Sequence, residues 1–340
     1  MHPVLDARRV LVGIDFGSTS LAAARWVATH LTGNAELVLA HVIALPRVPS
    51  FLRDLVPSSE ALVDQIAPQV SGGLRGLAST LGDGPPPRTE LLVGIPSERL
   101  ATSAEELGAD MVVVGRTHQR AGTWKRIGST ADRLIRRVRV PVLIATGNLA
   151  EEPKRVLAAV DDCDVGLEVL RSARALAMRI GAELIVLHVV SRRVAAYAAA
   201  TLPLEENAGS VHDAAEATIR AAAEEWLSDA LSDAGACDGA RLEVRVGDAG
   251  SEILAAAERF DADLVVIGSH GADAVARNGT GGVTRFVVRG TRRPVLVVGN
   301  GPVVDIAGDS RRRAGSISRM SSRRSATLPA HVDVMPWPAA

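Results

Sequence analysis

Apolar residues fall along this chain in short unbroken runs separated by segments of helical spacing, and the same order of runs occurs twice. Val10-Leu11-Val12-Gly13-Ile14-Asp15 is matched by Val156-Leu157-Ala158-Ala159-Val160-Asp161, 146 residues further on. Continuous apolar runs of this length, each ending in a carboxylate, suit parallel strands covered on both faces. A helical segment follows each run. Leu21, Ala24, Ala28 and Leu31 share one stripe in the first, and Leu167, Leu170, Ala173, Ala177 and Ile180 share one in the second. Second strands are predicted at 37–43 and 184–190, third strands at 89–94 and 242–247. The variable middles carry a helix-like stretch near 59–81 in the first copy and an alanine-rich helix through about 210–234 in the second.

A helix with Ser97 or Ser251 near its start follows each third strand, and a glutamate comes next in both. That placement predicts N-terminal capping. Fourth strands are 111–115 and 264–268, and fifth strands begin after Pro141 and Pro294, each pair 153 residues apart. Strands alternating with helices predict a doubly wound parallel α/β sheet in each copy. The copies span 8–147 and 153–299, with the boundary between Gly147 and Lys154.

Composition narrows the function. A length of 340 residues fits two domains. The net charge of −1 gives the folded part no electrostatic case for nucleic acid, and 3% aromatic content leaves little for base stacking. Cys163 and Cys237 fit neither a disulfide framework nor a zinc site, which points to a reducing compartment. No apolar run is long enough to span a bilayer, and the first residues lack a signal-peptide pattern, so a cytoplasmic location is expected.

The fourth strands lead into the candidate chemistry. The first copy reads Gly115-Arg116-Thr117-His118, nine residues, then Gly128-Ser129-Thr130. The second reads Gly268-Ser269-His270-Gly271, nine residues, then Gly281-Gly282. A strand ending in glycine, a loop, and a glycine opening a helix bring backbone amides close to phosphate. Gly115 or Gly268 is expected to turn the chain out of its strand at positive φ. Asp15 and Asp161, at the carboxyl ends of the central strands, would sit where such sheets bind ligands.

The aspartate ending strand one, the His-Val of strand two and the Gly-x2-Gly-x9-Gly-[Ser/Thr] pattern together resemble the universal stress protein family, here as two copies in tandem. The resemblance implies two Rossmann-like five-stranded parallel sheets of order 3-2-1-4-5, flanked by helices. It also implies domains that pair through their fifth strands, within this chain as a pseudo-dimer or further as a homo-oligomer. One branch of the family binds ATP at the glycine motif and another binds no nucleotide. Carried over residue by residue, the resemblance assigns Asp15 and Asp161 to the nucleoside and the main chain near Val42 and Val189 to the adenine. The phosphates fall to Gly115, Gly128, Ser129 and Thr130, or to Gly268, His270, Gly271, Gly281 and Gly282.

Both copies depart from the pattern. His118 replaces the second glycine in the first copy, where an imidazole either crowds the phosphates or hydrogen-bonds to them. Gly282 replaces the hydroxyl residue in the second, losing one hydrogen bond of about 0.5–1.5 kcal/mol. An obstructing side chain should hurt more than a missing hydroxyl, so the second copy is expected to be the better site. Against this, Asp161, Asp162 and Asp164 would repel a triphosphate unless Mg²⁺ lies between. The reading is an ATP-binding stress-response module with an unidentified protein partner, not an enzyme. Its rivals are a non-nucleotide interaction module and a weak ATPase.

Other signals receive plainer readings. His41 and His188 are expected to pack their rings and bond to backbone. Ser71-Gly72-Gly73-Leu74 is expected to be a helix interruption or loop. Neither Cys163 nor a Ser18, His41 and Asp15 grouping supports nucleophilic catalysis. Beyond 302, dense arginine and serine predict a disordered, solvated tail, with Ser316, Ser318 and Ser325 as candidate kinase sites.

Overall fold

The computed structural model describes residues 8–31, 35–45, 58–82, 86–116, 129–147, 149–201, 211–235, 239–269 and 281–299. The first half runs β1 (Arg9–Gly13), α1 (Ser18–His30), β2 (Glu36–Ile43), α2 (Ser59–Ala78), β3 (Arg88–Val93), α3 (Pro96–Leu107), β4 (Met111–Gly115), α4 (Ser129–Arg137) and β5 (Val142–Ala145). The second half runs β6 (Arg155–Ala159), α5 (Asp164–Ile180), β7 (Glu183–Ser191), α6 (Arg192–Thr201), α7 (Val211–Asp233), β8 (Arg241–Gly247), α8 (Ala249–Arg259), β9 (Leu264–Gly268), α9 (Gly282–Gly290) and β10 (Val295–Val298).

The ten strands form one sheet in the order β3-β2-β1-β4-β5-β10-β9-β6-β7-β8. Each half contributes a parallel 3-2-1-4-5 sheet, and the halves join where β5 and β10 pair antiparallel. Val142 faces Val297, Leu143 faces Leu296 and Ile144 faces Val295. Leu143 and Leu296 are the same position in the two copies, so a local two-fold axis passes through that pair. Joining the short apolar β5 and β10 removes two edges that would otherwise be open to pairing.

Strand side chains alternate between two cores, and each core runs through both halves. Val10, Val12 and Leu39 share one face with Val156, Ala158 and Val186; Leu11, Val38 and Val112 share the other with Leu157, Ile185 and Val265. The segment between the halves is strapped to α1. Trp26 Nε1 donates to the Ala150 carbonyl at 3.0 Å, and Nε2 of His30 bonds that of Glu151 at 2.7 Å. Arg179 Nε of α5 donates to the His30 carbonyl at 2.9 Å.

Several local expectations are corrected. The Ser71–Leu74 stretch is neither loop nor interruption, because α2 runs through it, with Pro68 also inside the helix. Ser97 caps nothing: α3 begins at Pro96, and the Ser97 hydroxyl is buried without a hydrogen-bond partner. In α8 the cap is Asp248, whose side chain accepts from the Ser251 amide at 3.0 Å. The ten-residue α6, read as connection, is an additional helix. Gly115 is not at positive φ; glycine is favoured there because a Cβ would be crowded at 3.0 Å from the Ser20 nitrogen. Among the described residues no helix is long and apolar enough to cross a membrane. The tail and its serines lie outside the described residues.

Candidate functional site

In the second half, β6, β7 and β9 end around an open-mouthed cavity of about 520 Å³, bordered by α5, α6, α8 and the first turn of α9. This is the switch point of a doubly wound sheet, and the volume falls within the roughly 300–1,000 Å³ of small-molecule sites. Asp161, Val189, Gly268, Gly281 and Gly282 all line it, so five of the expected residues come together. His270 and Gly271 lie outside the described residues. The walls include Val160, Val169, Leu187, Ile253 and Ile267, an apolar lining with polar groups at its edges.

The start of α9 forms the anion-favouring end. Gly281 is the N-cap in an extended conformation, no side chain caps it, and the first turn carries no acidic residue. Amides of a first helical turn lack intrahelical acceptors and sit at the positive end of the helix dipole. Two bonds fix this turn against β9: the Gly281 amide donates to the Ser269 carbonyl at 2.8 Å, and Thr284 Oγ1 donates to that of Gly268 at 2.6 Å. The glycine pattern gives no sign of Thr284. It is buried, lines the cavity, and supplies a hydroxyl two positions after the glycine that fills the expected slot.

The turn after β6 sets Asp161. Its Oδ1 accepts from the Asp162 amide at 3.0 Å. Gly166, in the first turn of α5, packs so close that a Cβ would overlap the Asp161 carbonyl oxygen. In the first half the corresponding residue is Ser20, and the turn is built differently. Asp15 Oδ1 accepts from Ser20 Oγ at 2.5 Å and from the Gly17 amide at 2.9 Å. Phe16 takes φ 59°, and its ring lies 5.1 Å from that of His41. Val42 is buried in β2, while Thr130 lies in the first turn of α4, which Ser129 opens. Gly128 and His118 lie outside the described residues.

The two histidines bond to backbone. Nδ1 of His41 lies 2.7 Å from the Ile14 carbonyl, and Nδ1 of His188 lies 2.9 Å from that of Val160. The carbonyl oxygens can only accept, so Nδ1 carries the proton in both rings. His188 also packs edge-on to Trp226 and lines the cavity. Cys163 is the N-cap of α5; burial pushes its thiol up, partly offset by hydrogen bonds from the Gly166 and Val165 amides. A nucleophilic thiolate requires the opposite shift. Among the described residues no group of three or more His, Cys, Asp or Glu side chains is placed to hold a metal ion.

Fold and cavity define a tandem, doubly wound α/β protein with a ligand-sized cavity at the switch point of its second half. The sequence pattern of the universal stress protein family matches residues 7–146 and 152–299, and the chain belongs to that family. Universal stress protein Sll1388 from Synechocystis sp. is 27% identical over 163 residues, covering 42% of this chain and 96% of that protein. A universal stress protein structure from Archaeoglobus fulgidus aligns with a TM-score of 0.60 at 18% identity, covering 88% of this chain and 99% of its own. A protein of unknown function from Pseudomonas aeruginosa aligns at 0.59 and 16%, covering 87% and 94%. At these identities the two structures speak for the fold alone.

Proposed function

We propose that the second half binds an adenine nucleotide, ATP, and that the chain acts as a nucleotide-responsive stress module whose occupancy alters its affinity for a protein partner. The observation that carries this reading is the cavity itself, which gathers Asp161, Val189 and the uncapped start of α9 around one space of suitable size. The apolar walls and the Val189 main chain would take the base, Asp161 the ribose hydroxyls, and the Gly282 and Val283 amides the phosphates, since the Gly281 amide is already bonded to Ser269. Asp161 and Asp162 oppose a polyphosphate, so the nucleotide would enter as its Mg²⁺ complex. No side chain is assigned to hydrolysis, and the reading is of binding rather than turnover.

Gly282→Val tests it. A Cβ at Gly282 meets nothing within 4 Å, so the fold accepts a side chain there, yet that side chain projects from a residue lining the cavity. Native mass spectrometry of the full chain with Mg-ATP should show one nucleotide on the parent protein and none on the variant, with unchanged unfolding. Binding that survives Gly282→Val refutes this site. No binding to the parent at millimolar ATP favours an interaction module, a reading consistent with the carboxylates at the cavity edge.

A further inference from the structure

We propose that the face joining the two halves is coded by charge and hydrogen bonding so that each half accepts the other and rejects a copy of itself. The proposal is independent of what the cavity binds. Its starting point is Arg285 of α9, whose Nε lies 3.5 Å from Oδ1 of Asp132 in α4. Positions 132 and 285 are separated by the same 153 residues as the paired leucines of β5 and β10. A position that meets its own counterpart must lie near the local two-fold axis, where a symmetric pair would place two identical side chains together. This chain instead places opposite charges there. Two copies of the first half would bring Asp132 against Asp132, and two copies of the second would bring Arg285 against Arg285. The nine residues of α9 include no acid to relieve the second arrangement, whereas Asp132 also pairs with Arg136 of its own helix at 2.8 Å, which softens the first.

Two further contacts cross the same seam in one sense only. Arg116 is buried, and its Nη1 donates to the carbonyls of Val288 at 2.9 Å and Thr291 at 2.7 Å, closing the C-terminal end of α9. The counterpart of Arg116 is Ser269, so two second halves would lack this guanidinium and two first halves would bury a pair of them, which is costly unless both are fully bonded. Thr146 Oγ1 donates to the Arg292 carbonyl at 2.8 Å. Its counterpart is Gly299, where a Cβ would stand 3.3 Å from the Arg139 oxygen. Like charges and missing donors reject the wrong partner, while the opposite charges select the right one.

The intact chain tests this without separating the halves. Arg285→Asp recreates the contact two first halves would make, and it places an acid in the first turn of α9, which favours that helix taken alone. The expected result is a thermal midpoint lowered by about 2–4 °C in low salt. The facing atoms, Asp132 Oδ1 and Arg285 Nε, are buried, so 1 M salt should recover only a small part of the deficit. Adding Asp132→Asn removes one of the facing charges and should restore most of the loss. A midpoint unchanged or raised by Arg285→Asp overturns the proposal. So does a double variant that, once the cost of Asp132→Asn alone (which also gives up the Arg136 pair) is subtracted, is as unstable as Arg285→Asp, because the loss would then be structural rather than electrostatic.

Discussion

Gly166→Ala separates two accounts of the same residue by sign. Gly166 lies inside α5, and helix propensity alone makes alanine better there by about 0.5–1 kcal/mol. Its surroundings say otherwise. The added Cβ would overlap the Asp161 carbonyl oxygen, with the carbonyl carbon 2.9 Å and the Asp161 nitrogen 3.2 Å away. These are backbone atoms of the tight turn after β6, so no side chain can rotate aside. Overpacking typically costs about 1–3 kcal/mol, and a backbone clash belongs at the upper end. Subtracting the propensity gain leaves a net loss of about 2 kcal/mol. Gly72→Ala is the matched control, in the interior of α2, where a Cβ meets nothing within 4 Å. It should gain about 0.5–1 kcal/mol. Chemical denaturation of both variants gives the comparison. The turn that moves also carries Asp161, so nucleotide affinity should fall in Gly166→Ala and hold in Gly72→Ala. If Gly166→Ala is as stable as Gly72→Ala, the tight-turn argument fails.

Other variants probe the remaining structural claims. Arg116→Met removes the donors to Val288 and Thr291 and should cost about 2–4 kcal/mol, since hydrogen bonds to charged groups are worth about 1.5–3 each and partly offset burial; hydrogen exchange should quicken in the last turn of α9, and unchanged protection there would refute the role. Asp248→Ala should cost about 1 kcal/mol at pH 7 through loss of the α8 cap. The Ser251 hydroxyl and amide hold the Asp248 carboxyl below its ordinary value, so its contribution is present above the unfolded pKa and lost as pH falls through the folded one. The gap between parent and variant should therefore close below about pH 4. A gap that stays constant into acid would mean the carboxylate charge plays no part.

How much of this is legible in the sequence depends on the range of the interactions involved. The strands are, because a strand buried on both faces needs an unbroken apolar run and leaves that run in the sequence whatever surrounds it. The cavity residues Asp161, Gly268, Gly281 and Gly282 follow from their places at strand and helix ends, whereas Val189 follows only from the family resemblance. Thr284 does not, because its role depends on how α9 sits against β9, and the glycine pattern asks for a hydroxyl at 282. Ser97 and Asp248 show the same limit for caps. Ser97 is the second residue of α3 and Asp248 the residue before α8, and a shift of two residues in where the helix begins decides which side chain reaches an amide. Gly115 stands out in the sequence, but the reason for it does not: close approach of the Ser20 backbone, a contact between distant segments, favours glycine there. Arg116 carries no signal, because an arginine after a strand-ending glycine looks like an ordinary loop residue until α9 arrives above it.

The duplication makes these long-range differences interpretable. Two copies share one strand order, so the sheet frame is common, and apart from the additional α6 much of what distinguishes them lies in side chains at equivalent positions. Such differences concentrate their consequences in two places. At the switch point, Ser20 ties the Asp15 carboxylate down, whereas Gly166 brings no side chain and the cavity opens beside Asp161. At the seam, Asp132, Arg116 and Thr146 of one half meet a surface whose own counterparts are Arg285, Ser269 and Gly299. Helix α9 belongs to both places: its first turn lines the cavity, and its last carbonyls are closed by Arg116 from the other half. A nine-residue helix held at both ends ties the geometry of the cavity to the seam. Substitutions at the seam therefore have a physical route to the cavity, whereas Gly72, on the open face of α2, has none.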